Sequence, residues 1–368
     1  MNQQQLIDWL RLIRDQRWTS QQKSQLLTAF GDASSLIQQP EHKILQIVGR
    51  RSTKPVGIPT QKDVEPDLDW LESSNRHLIT INDPSYPQSL KEISDPPIAL
   101  FASGQLACLS DPKVAIVGSR RPTPVGSKMA TILAGELAAL GLVVTSGMAL
   151  GVDGLAHHAA LAANAPTIAV MGCGLDTVYP ARNKHLFKKI SEHGCLLSEY
   201  PIGVPPINYH FPTRNRIVSG LSLGVVIVEA AERSGTLITA RLAGEHNREL
   251  MVVPGPAFSA QYAGSHRLIK DGAALITSSK DVLHELSIDL QRALKDQGRS
   301  AANTEANSKP VSSEQTKLLS YVGHESTSLE AIILASGLTS AEVSSMLLIL
   351  EVEGRIAVAQ DRGYVRLS

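Results

Sequence analysis

The chain has 368 residues and equal numbers of basic and acidic side chains, 35 of each, so its formal charge at pH 7 is zero. This balance excludes a globally basic nucleic-acid protein, and any site for anions must therefore be local. No apolar run approaches the ~20 residues of a membrane span and the three cysteines have no metal-ligand spacing, so we expect a soluble cytoplasmic protein of two or three domains, with no membrane contact and no metal.

The first segment, residues 1–75, is predicted to be a small helical domain of the SAM or helix-hairpin-helix type. Apolar residues recur at helical spacing between Leu6 and Ile13, and basic and acidic side chains are equally frequent. A packing or protein-contact role explains this pattern. The turn Gly49-Arg50-Arg51 leaves open a helix-hairpin-helix-like contact with DNA.

The second segment, residues 76–290, alternates short apolar runs with helical stretches. The runs predict strands at 77–81, 98–101, 114–117, 142–145, 167–171, 195–197, 224–228, 250–253 and 273–276. The helices are predicted at about 125–140, 151–163, 183–192, 213–221, 235–247 and 263–270. Continuous apolar strands that alternate with helices indicate a doubly wound, mostly parallel sheet, whose strand-end loops share one edge.

The last segments are a tether and a small domain. Residues 291–312 are small and polar and predict a flexible linker. Residues 313–368 have three helical stretches and a hairpin, which predicts a winged helix-turn-helix domain. This domain has four Lys/Arg against seven acids, and its last helix has no basic residue, so a protein-contact or regulatory role is favoured over duplex DNA binding.

The turn Gly118-Ser119-Arg120-Arg121 lies between a predicted buried strand and a helix. A strand, a glycine turn and a helix together form the unit with which α/β proteins bind phosphate, through backbone N–H groups and the helix dipole. Arg120 occupies a position where the dinucleotide fingerprint requires glycine. The turn is therefore predicted to bind a phosphate backbone rather than NAD.

Two further basic stretches are predicted at the same edge. The first runs from Tyr179 to Lys189, where cations lie beside aromatic residues, as in single-strand nucleic-acid sites; a solvated helix face explains it equally well. In the second, Pro212 precedes a helix whose first turn is predicted to contain Arg214 and Arg216. Cations there oppose the helix dipole, and an anionic partner would relieve that cost.

The last polar elements of the edge are less specific. Ser234-Gly235-Thr236 at a helix start is another turn suited to anions. Glu229, at a strand end, could be a general acid or base, an acceptor of backbone N–H groups or a partner for Arg216; because no nucleophile accompanies it, the structural role is favoured. His157 lacks a third ligand at metal spacing, so a hydrogen-bonded structural histidine is expected.

Taken together, these motifs give a specific resemblance over residues 80–286. In order, they read GSRRP, SGMALGVDGLAH, GCGLDTVYPARNKHLF, SEYP, FPTRNRIVSGLS, VVIVEA, SGTLITA and VPG. This series resembles the DprA/Smf family, the DNA-processing protein A family. The resemblance implies an extended Rossmann-like domain, and the segments before and after it match accessory domains of the family.

The resemblance also implies a function. It implies a homodimer without a cofactor or catalytic residues, which binds single-stranded DNA without sequence preference and loads the RecA recombinase during natural transformation. Arg120 is expected to clamp a phosphate, Asn183 and Lys184 to hold the backbone, and Phe187 to lie near a base. The residues expected in the same groove are Arg214, Asn215 and Arg216. His266 stands where the family usually has asparagine, which leaves that position's role open.

An enzymatic alternative is a nucleotide-binding phosphoribohydrolase with a Rossmann-like fold. Glu229 at a strand end and the Gly235-Thr236 turn motivate it. That group usually has a PGGxGTxxE pattern, whereas this chain has ERSGTLITA, without the paired glycines or the second glutamate. The sequence therefore favours a DNA-binding protein that is not an enzyme.

Overall fold

The structure is a computed structural model that describes residues 1–49, 59–287, 290, 317–323, 327–352, 356–358 and 363–366. It forms two compact units, Met1–Leu286 and Ser287–Ser368. The domain boundaries expected at residues 75 and 290 stay predictions. Within the described residues, no helix is long and apolar enough to cross a membrane.

Helices form the start of the first unit. They are α1 Gln3–Arg14, α2 Ser20–Phe30, α3 Ala33–Ile37, α4 Glu41–Val48 and α5 Gln61–Leu71. Asn2 and Thr19 close capping boxes at the starts of α1 and α2, where the first backbone N–H groups lack partners. Apolar side chains of α1 and α5 share a buried cluster with Phe101 of the sheet, so these helices pack on it. Of the predicted basic turn, Arg50 and Arg51 lie outside the described residues.

A nine-stranded sheet forms the centre of the first unit. Its strands are β1 Arg76–Thr80, β2 Ala99–Gly104, β3 Lys113–Val117, β4 Val143–Ser146, β5 Thr167–Val170, β6 Cys195–Ser198, β7 Gly224–Ile227, β8 Glu249–Val252 and β9 Ala274–Leu275. Their order is β1-β2-β6-β5-β4-β3-β7-β8-β9. The strands from β3 onward pair in parallel, whereas β1 and β2 are antiparallel additions at one side. The predicted doubly wound, mostly parallel sheet is confirmed.

In the described residues, helices lie between the strands of the sheet and after β9; the sequence predicts those between β3 and β9 but not the first and the last of the set. They are α6 Gln88–Lys91, α7 Pro124–Ala139, α8 Val152–Ala162, α9 Lys184–His193, α10 His210–Leu221, α11 Thr236–Glu245, α12 Ala263–Lys270 and α13 Ser279–Glu285. Strands β3 to β7 are buried along their whole length because helices cover both faces. The helix predicted from residue 213 begins earlier, at His210, because Pro212 fits within the first turn.

The strand order reverses once, between β3 and β7. From β3 the chain winds outward through β4, β5 and β6, and it then returns to the other side of β3. The loops that follow β3 and β7 therefore diverge from the sheet and leave a crevice at its carboxyl edge. Ligands of open α/β sheets bind in such a crevice.

The second unit has the elements of a small winged helix. It contains α14 Leu329–Ser336, α15 Ser340–Val352, β10 Ile356–Val358 and β11 Tyr364–Arg366. Ser328 caps α14, and Gly337 ends it with a φ of 69°, a conformation that suits glycine. The strands pair antiparallel as a hairpin. The predicted linker at 291–312 and the turn residue Arg362 lie outside the described residues.

Candidate nucleic-acid interface

A cleft of about 550 Å³ opens at the carboxyl edge, where the loops after β3 and β7 diverge. This volume lies within the usual range of ligand sites, roughly 300–1,000 Å³. Most of the predicted site residues line it. They are Gly118, Ser119, Arg120, Arg121, Arg214, Asn215, Ser234, Gly235 and Thr236. The structure thus brings together three motifs that are far apart in the sequence.

A buried carboxylate holds the turn after β3 in place. Glu229, at the end of β7, accepts hydrogen bonds from the backbone N–H of Thr123 at 3.0 Å and from its hydroxyl at 2.7 Å. The Thr123 hydroxyl oxygen in turn caps α7 by accepting the N–H of Gly126. A Cβ atom on Gly126 would lie 2.6 Å from the Glu229 carboxylate, so only glycine fits. The interpretation of Glu229 as an N–H acceptor is confirmed.

The two arginines of this turn face solvent. Arg120 and Arg121 are exposed, and the described part of the chain places no carboxylate within ion-pair distance of either one. The guanidinium carbon of Arg120 lies 5.9 Å from the ring centre of Phe211, which in turn lies 5.2 Å from the ring centre of Tyr179. A cation beside two neighbouring rings suits a ligand with both phosphates and bases.

Arg214 lies in the floor of the cleft rather than on its rim. Its side chain is buried, and Nη1 donates to the carbonyl oxygen of Val170. A Cβ atom on Gly147 would lie 2.4 Å from the guanidinium, which explains the glycine there. Burial lowers the pKa of Arg214, and the carboxyl group of Asp153 opposes this effect. A cation is therefore held beneath the cleft.

Arg216 does not line the cleft. It lies in the second turn of α10, so the expected first-turn position of both α10 arginines is wrong. Its guanidinium makes two hydrogen bonds of 2.7 Å to Glu199 and one of 3.1 Å to Asp95. Burial alone would lower the pKa of Arg216, but these carboxylates raise it above its usual value. The partner of Arg216 is thus Glu199, and the alternative pairing with Glu229 is wrong.

Three other predicted residues do not line the cleft. Asn183 uses its side-chain amide to hold the loop after β4, donating to the carbonyl oxygens of Met148 at 2.9 Å and Ala149 at 3.4 Å. Lys184 begins α9 and is exposed. Phe187 is partly buried and packs against the core. Asn183 and Phe187 therefore have structural contacts, whereas Lys184 presents its charge to solvent.

The two unusual histidines have structural contacts. His157 is fully buried and its Nδ1 lies 2.7 Å from the hydroxyl of Thr167. Burial, assisted by His158 and Arg214, lowers the pKa of His157 to about 3. The hydrogen bond to Thr167 agrees with the structural interpretation of His157. His266 places Nε2 3.0 Å from the carbonyl oxygen of Gly255.

Sequence reasoning missed some residues of the cleft. Arg233 and Gln261 line it, and Phe211 lines both this cleft and a smaller cavity beside Tyr179. Arg233 could have been found, because it directly precedes the predicted anion turn and is basic. Gln261 could not, because it lies in the connection after β8, where the sequence has no anion-binding motif, and only the fold brings it to the cleft.

Comparison with known proteins places these features in one family. The family model for DNA recombination-mediator protein A matches residues 77–287, and the model for the DprA winged helix domain matches residues 302–361. Protein Smf of Escherichia coli K12 is 41% identical over 328 residues, which is 88% of this chain and 87% of that protein. DNA processing protein DprA of Bacillus subtilis is 40% identical over 249 residues, 66% of this chain and 84% of that protein.

Solved structures agree with these sequence matches. DNA processing protein A of Streptococcus pneumoniae superposes with a TM-score of 0.67 at 37% identity, covering 76% of this chain and 97% of that one. The Helicobacter pylori protein, whose structure is described in terms of its single-stranded DNA binding mode, superposes with a TM-score of 0.53 at 36% identity. That match covers 58% of this chain and 97% of that one.

Proposed function

The chain belongs to the DNA recombination-mediator protein A family, and on that premise we propose that it binds single-stranded DNA without sequence preference at the carboxyl edge of its sheet. The observation that carries the proposal is the exposed arginine pair Arg120 and Arg121, on a turn held by Glu229 and beside two neighbouring aromatic rings. Phosphates and bases of one strand match these two kinds of side chain.

The phosphate contacts are assigned to the exposed cations around the cleft. Arg120 and Arg121 supply the positive charges on the β3 side of the cleft, and Arg233 supplies one on the β7 side. Lys184, which is exposed next to Asn183, adds a further cation to this phosphate-binding surface. The buried charge of Arg214 attracts phosphate from below without having to leave its partners. Arg216 holds α10 in place and makes no phosphate contact in this proposal. Contacts to the backbone carry no sequence information, which explains binding without preference.

The base contacts are assigned to aromatic rings. Arg120 lies over the ring of Phe211, the ring of Tyr179 lies beside that of Phe211, and every base can stack on such a ring. Phe187 contributes from the side, through the part of its ring that the core leaves uncovered. Asn183 contributes by fixing the loop after β4, whose residue Ala149 lines the cleft.

The protein is proposed to act without catalysis. Glu229 is the side chain in the cleft best suited to act as a general acid or base. One of its carboxylate oxygens accepts both hydrogen bonds from Thr123. Its other oxygen is buried, without a hydrogen-bond partner in the described part of the chain. This carboxylate supports the turn that bears the arginines. Glu229 also lines the cleft, but the paired glycines and the second glutamate of the phosphoribohydrolase pattern are missing from ERSGTLITA, which supports a binding protein.

The biological role is proposed from the family. Single-stranded DNA held at this edge would be passed to the RecA recombinase during natural transformation, and the protein would act as a homodimer. RecA strand exchange on DNA coated with single-strand binding protein tests the first point: the chain is expected to shorten the lag, and an unchanged lag overturns it. Sedimentation equilibrium tests the second, with a mass near twice 39.5 kDa expected.

The DNA proposal is tested by fluorescence anisotropy with a labelled dT oligonucleotide over a salt series. Replacing Arg120 and Lys184 together by alanine is expected to weaken binding at least about tenfold, because one charge-assisted hydrogen bond contributes about 1.5–3 kcal/mol. The salt slope is expected to fall by about 1.4, at ~0.7 per phosphate.

A charge-matched variant serves as the control. Lys62→Ala combined with Lys280→Ala also removes two exposed cations, but from α5 and α13, and is expected to leave binding unchanged. Equal affinity of the Arg120→Ala/Lys184→Ala variant and the wild type at matched salt would overturn the proposal. An equal loss in both variants would show that only the total charge matters.

A further inference from the structure

The exposed aromatic side chains of the first unit all lie in loops that follow a strand of the sheet. Among its described residues they are Tyr179, which is 40% exposed, Tyr209, which is 66% exposed, and Phe258, which is fully exposed. Each lies in a connection that follows a parallel strand, after β5, β6 and β8 respectively. All three therefore lie toward the carboxyl edge. The first two are on the β5–β6 side of the cleft, and Phe258 is on the opposite side.

The turn that carries Phe258 is pinned by the structure around it. The N–H of Ser259 donates to the carbonyl oxygen of Pro256 at 3.0 Å, and the N–H of Tyr262 donates to Ser259 at 3.0 Å. A Cβ atom on Gly255 would lie 2.2 Å from the buried ring of Tyr262, so the backbone packs directly on that ring. A fixed backbone presents the Phe258 ring to solvent with only two torsions left to order on binding.

The same turn reaches the cleft. The hydroxyl of Ser259 lies 3.1 Å from the side-chain oxygen of Gln261, and Gln261 lines the cleft beside Arg233 and Ser234. Phe258 is thus three residues from the cleft wall. The exposed phenyl ring offers a face on which a nucleic-acid base can stack.

We propose that Phe258 stacks a base of the bound strand on the β8 side of the cleft, so that the strand crosses the whole cleft from the Tyr179–Phe211 pair to Phe258. This inference rests on the proposed DNA binding and adds its path. From β5 to β8 there are four strand spacings of ~4.8 Å, about 19 Å in all. At 3.4 Å per stacked nucleotide, this span corresponds to about six nucleotides.

The test compares full-length variants in anisotropy titrations with dT20 at fixed salt. Phe258→Ala is expected to weaken binding at least about fivefold, the low end of the loss of one base stacked on one ring. Phe258→Tyr keeps a stacking ring and is expected to bind like the wild type. Ile132→Ala removes an exposed apolar side chain from α7 and serves as the matched control, with no expected effect.

A direct optical signal complements the affinities. Phe258→Trp introduces an exposed indole into a chain whose own tryptophans, Trp9, Trp18 and Trp70, are all buried in the N-terminal helical region. Saturating dT20 is expected to quench the emission that this variant adds to the wild-type spectrum. An unchanged emission while anisotropy reports a saturated complex would overturn the inference.

The outcomes separate this inference from the proposal beneath it. If Arg120→Ala/Lys184→Ala loses binding but Phe258→Ala keeps wild-type affinity, DNA binding stands and the path across the cleft is wrong. If Phe258→Ala changes only the sedimentation mass, the ring contacts another protein chain, which also overturns the inference. If the wild type does not bind dT20 at all, both proposals fail.

Discussion

Two pairs of arginines approach the same edge of the sheet and end in opposite environments. Arg120 and Arg121, on the turn after β3, are exposed. Arg214 and Arg216, in α10, are about 95% buried. Both pairs follow a glycine- or proline-containing turn, and in the sequence both look like phosphate contacts.

The difference lies in the acceptors that the fold places nearby. Arg216 meets the carboxylates of Glu199 and Asp95, and Arg214 meets the carbonyl oxygen of Val170. In the described residues no such acceptor reaches the guanidinium groups of the turn arginines. The protein's own carboxylates use the donors of Arg216, burial separates Arg214 from solvent, and the turn arginines present their guanidinium groups to a ligand in solvent.

The largest expected effect tests the structural half of this comparison. Arg216→Met keeps the length of the side chain but leaves Glu199 and Asp95 without their cation. Breaking a buried pair on one side costs about 3–5 kcal/mol, because the remaining charge is left uncompensated. Urea unfolding of the full chain is expected to show a loss of this size. Arg120→Met, the matched change on the exposed turn, is expected to shift the free energy of unfolding by less than about 0.5 kcal/mol.

A wild-type unfolding midpoint for Arg216→Met would break the comparison, since it would mean that the buried pair contributes nothing. A large loss of stability in Arg120→Met would break it from the other side. It would show that the turn arginines also hold the fold.

Much of this architecture could be predicted from the sequence. Apolar runs indicated the parallel strands because such strands are buried on both faces, and β3 and β6 were placed within one residue of their observed ends. The site motifs were predicted at one edge by the rule that strand-end loops converge. Nine of the thirteen predicted residues line one cleft, namely Gly118, Ser119, Arg120, Arg121, Arg214, Asn215, Ser234, Gly235 and Thr236.

The burial of Arg214 and Arg216 could not be predicted in this way. The acceptors of Arg216 are 17 and 121 residues away along the chain, and neither distance corresponds to a local pattern. The sequence also predicts the start of α10 too late, because the pattern puts Pro212 immediately before the helix. It lies inside the first turn, where the missing N–H costs nothing.

A buried histidine sharpens the comparison, because it shows what burial does to a basic group without a carboxylate partner. His157 has a pKa of about 3 in the folded chain, against a usual value near 6.5. A lowered folded-state pKa means that stability is fully present above pH 6.5 and is lost as the pH falls toward 3. We expect His157 to account for a loss of about 2–3 kcal/mol between pH 6.5 and pH 4.

The measurement is the free energy of unfolding at several pH values for the wild type and His157→Gln. In this pH range, the slope of unfolding free energy against pH is expected to correspond to about one proton fewer in the variant than in the wild type. The contributions of His210 and His246, whose pKa values are also lowered by burial, are expected to stay the same in both proteins. His185→Gln, on the exposed surface of α9, is the control. Identical slopes for wild type and His157→Gln would contradict the assignment.

A smaller effect tests how the exposed pair, Arg120 and Arg121, contributes to DNA binding. Arg120→Lys keeps the charge but loses the planar group that lies near the ring of Phe211. We expect binding of dT20 to weaken about twofold to fivefold, in line with a contribution of roughly 0.5–1 kcal/mol from an exposed cation–π contact. Arg121→Lys, on the same turn but without a recorded ring contact among the described residues, is expected to change affinity by less than twofold. Equal losses in the two variants would show that Phe211 has no part in orienting the arginine.

The smallest expected effect concerns the second unit. Truncating the chain after residue 310 removes four basic side chains, Lys317, Arg355, Arg362 and Arg366, together with seven acidic ones. Because this segment is acidic and α15 carries no basic residue, it adds repulsion rather than attraction toward phosphate. The truncated chain is therefore expected to bind dT20 within about twofold of the wild type, and a large loss would show that the winged helix holds DNA despite its charge. In that case the division between exposed and buried arginines at the sheet edge would describe only part of the DNA-binding surface.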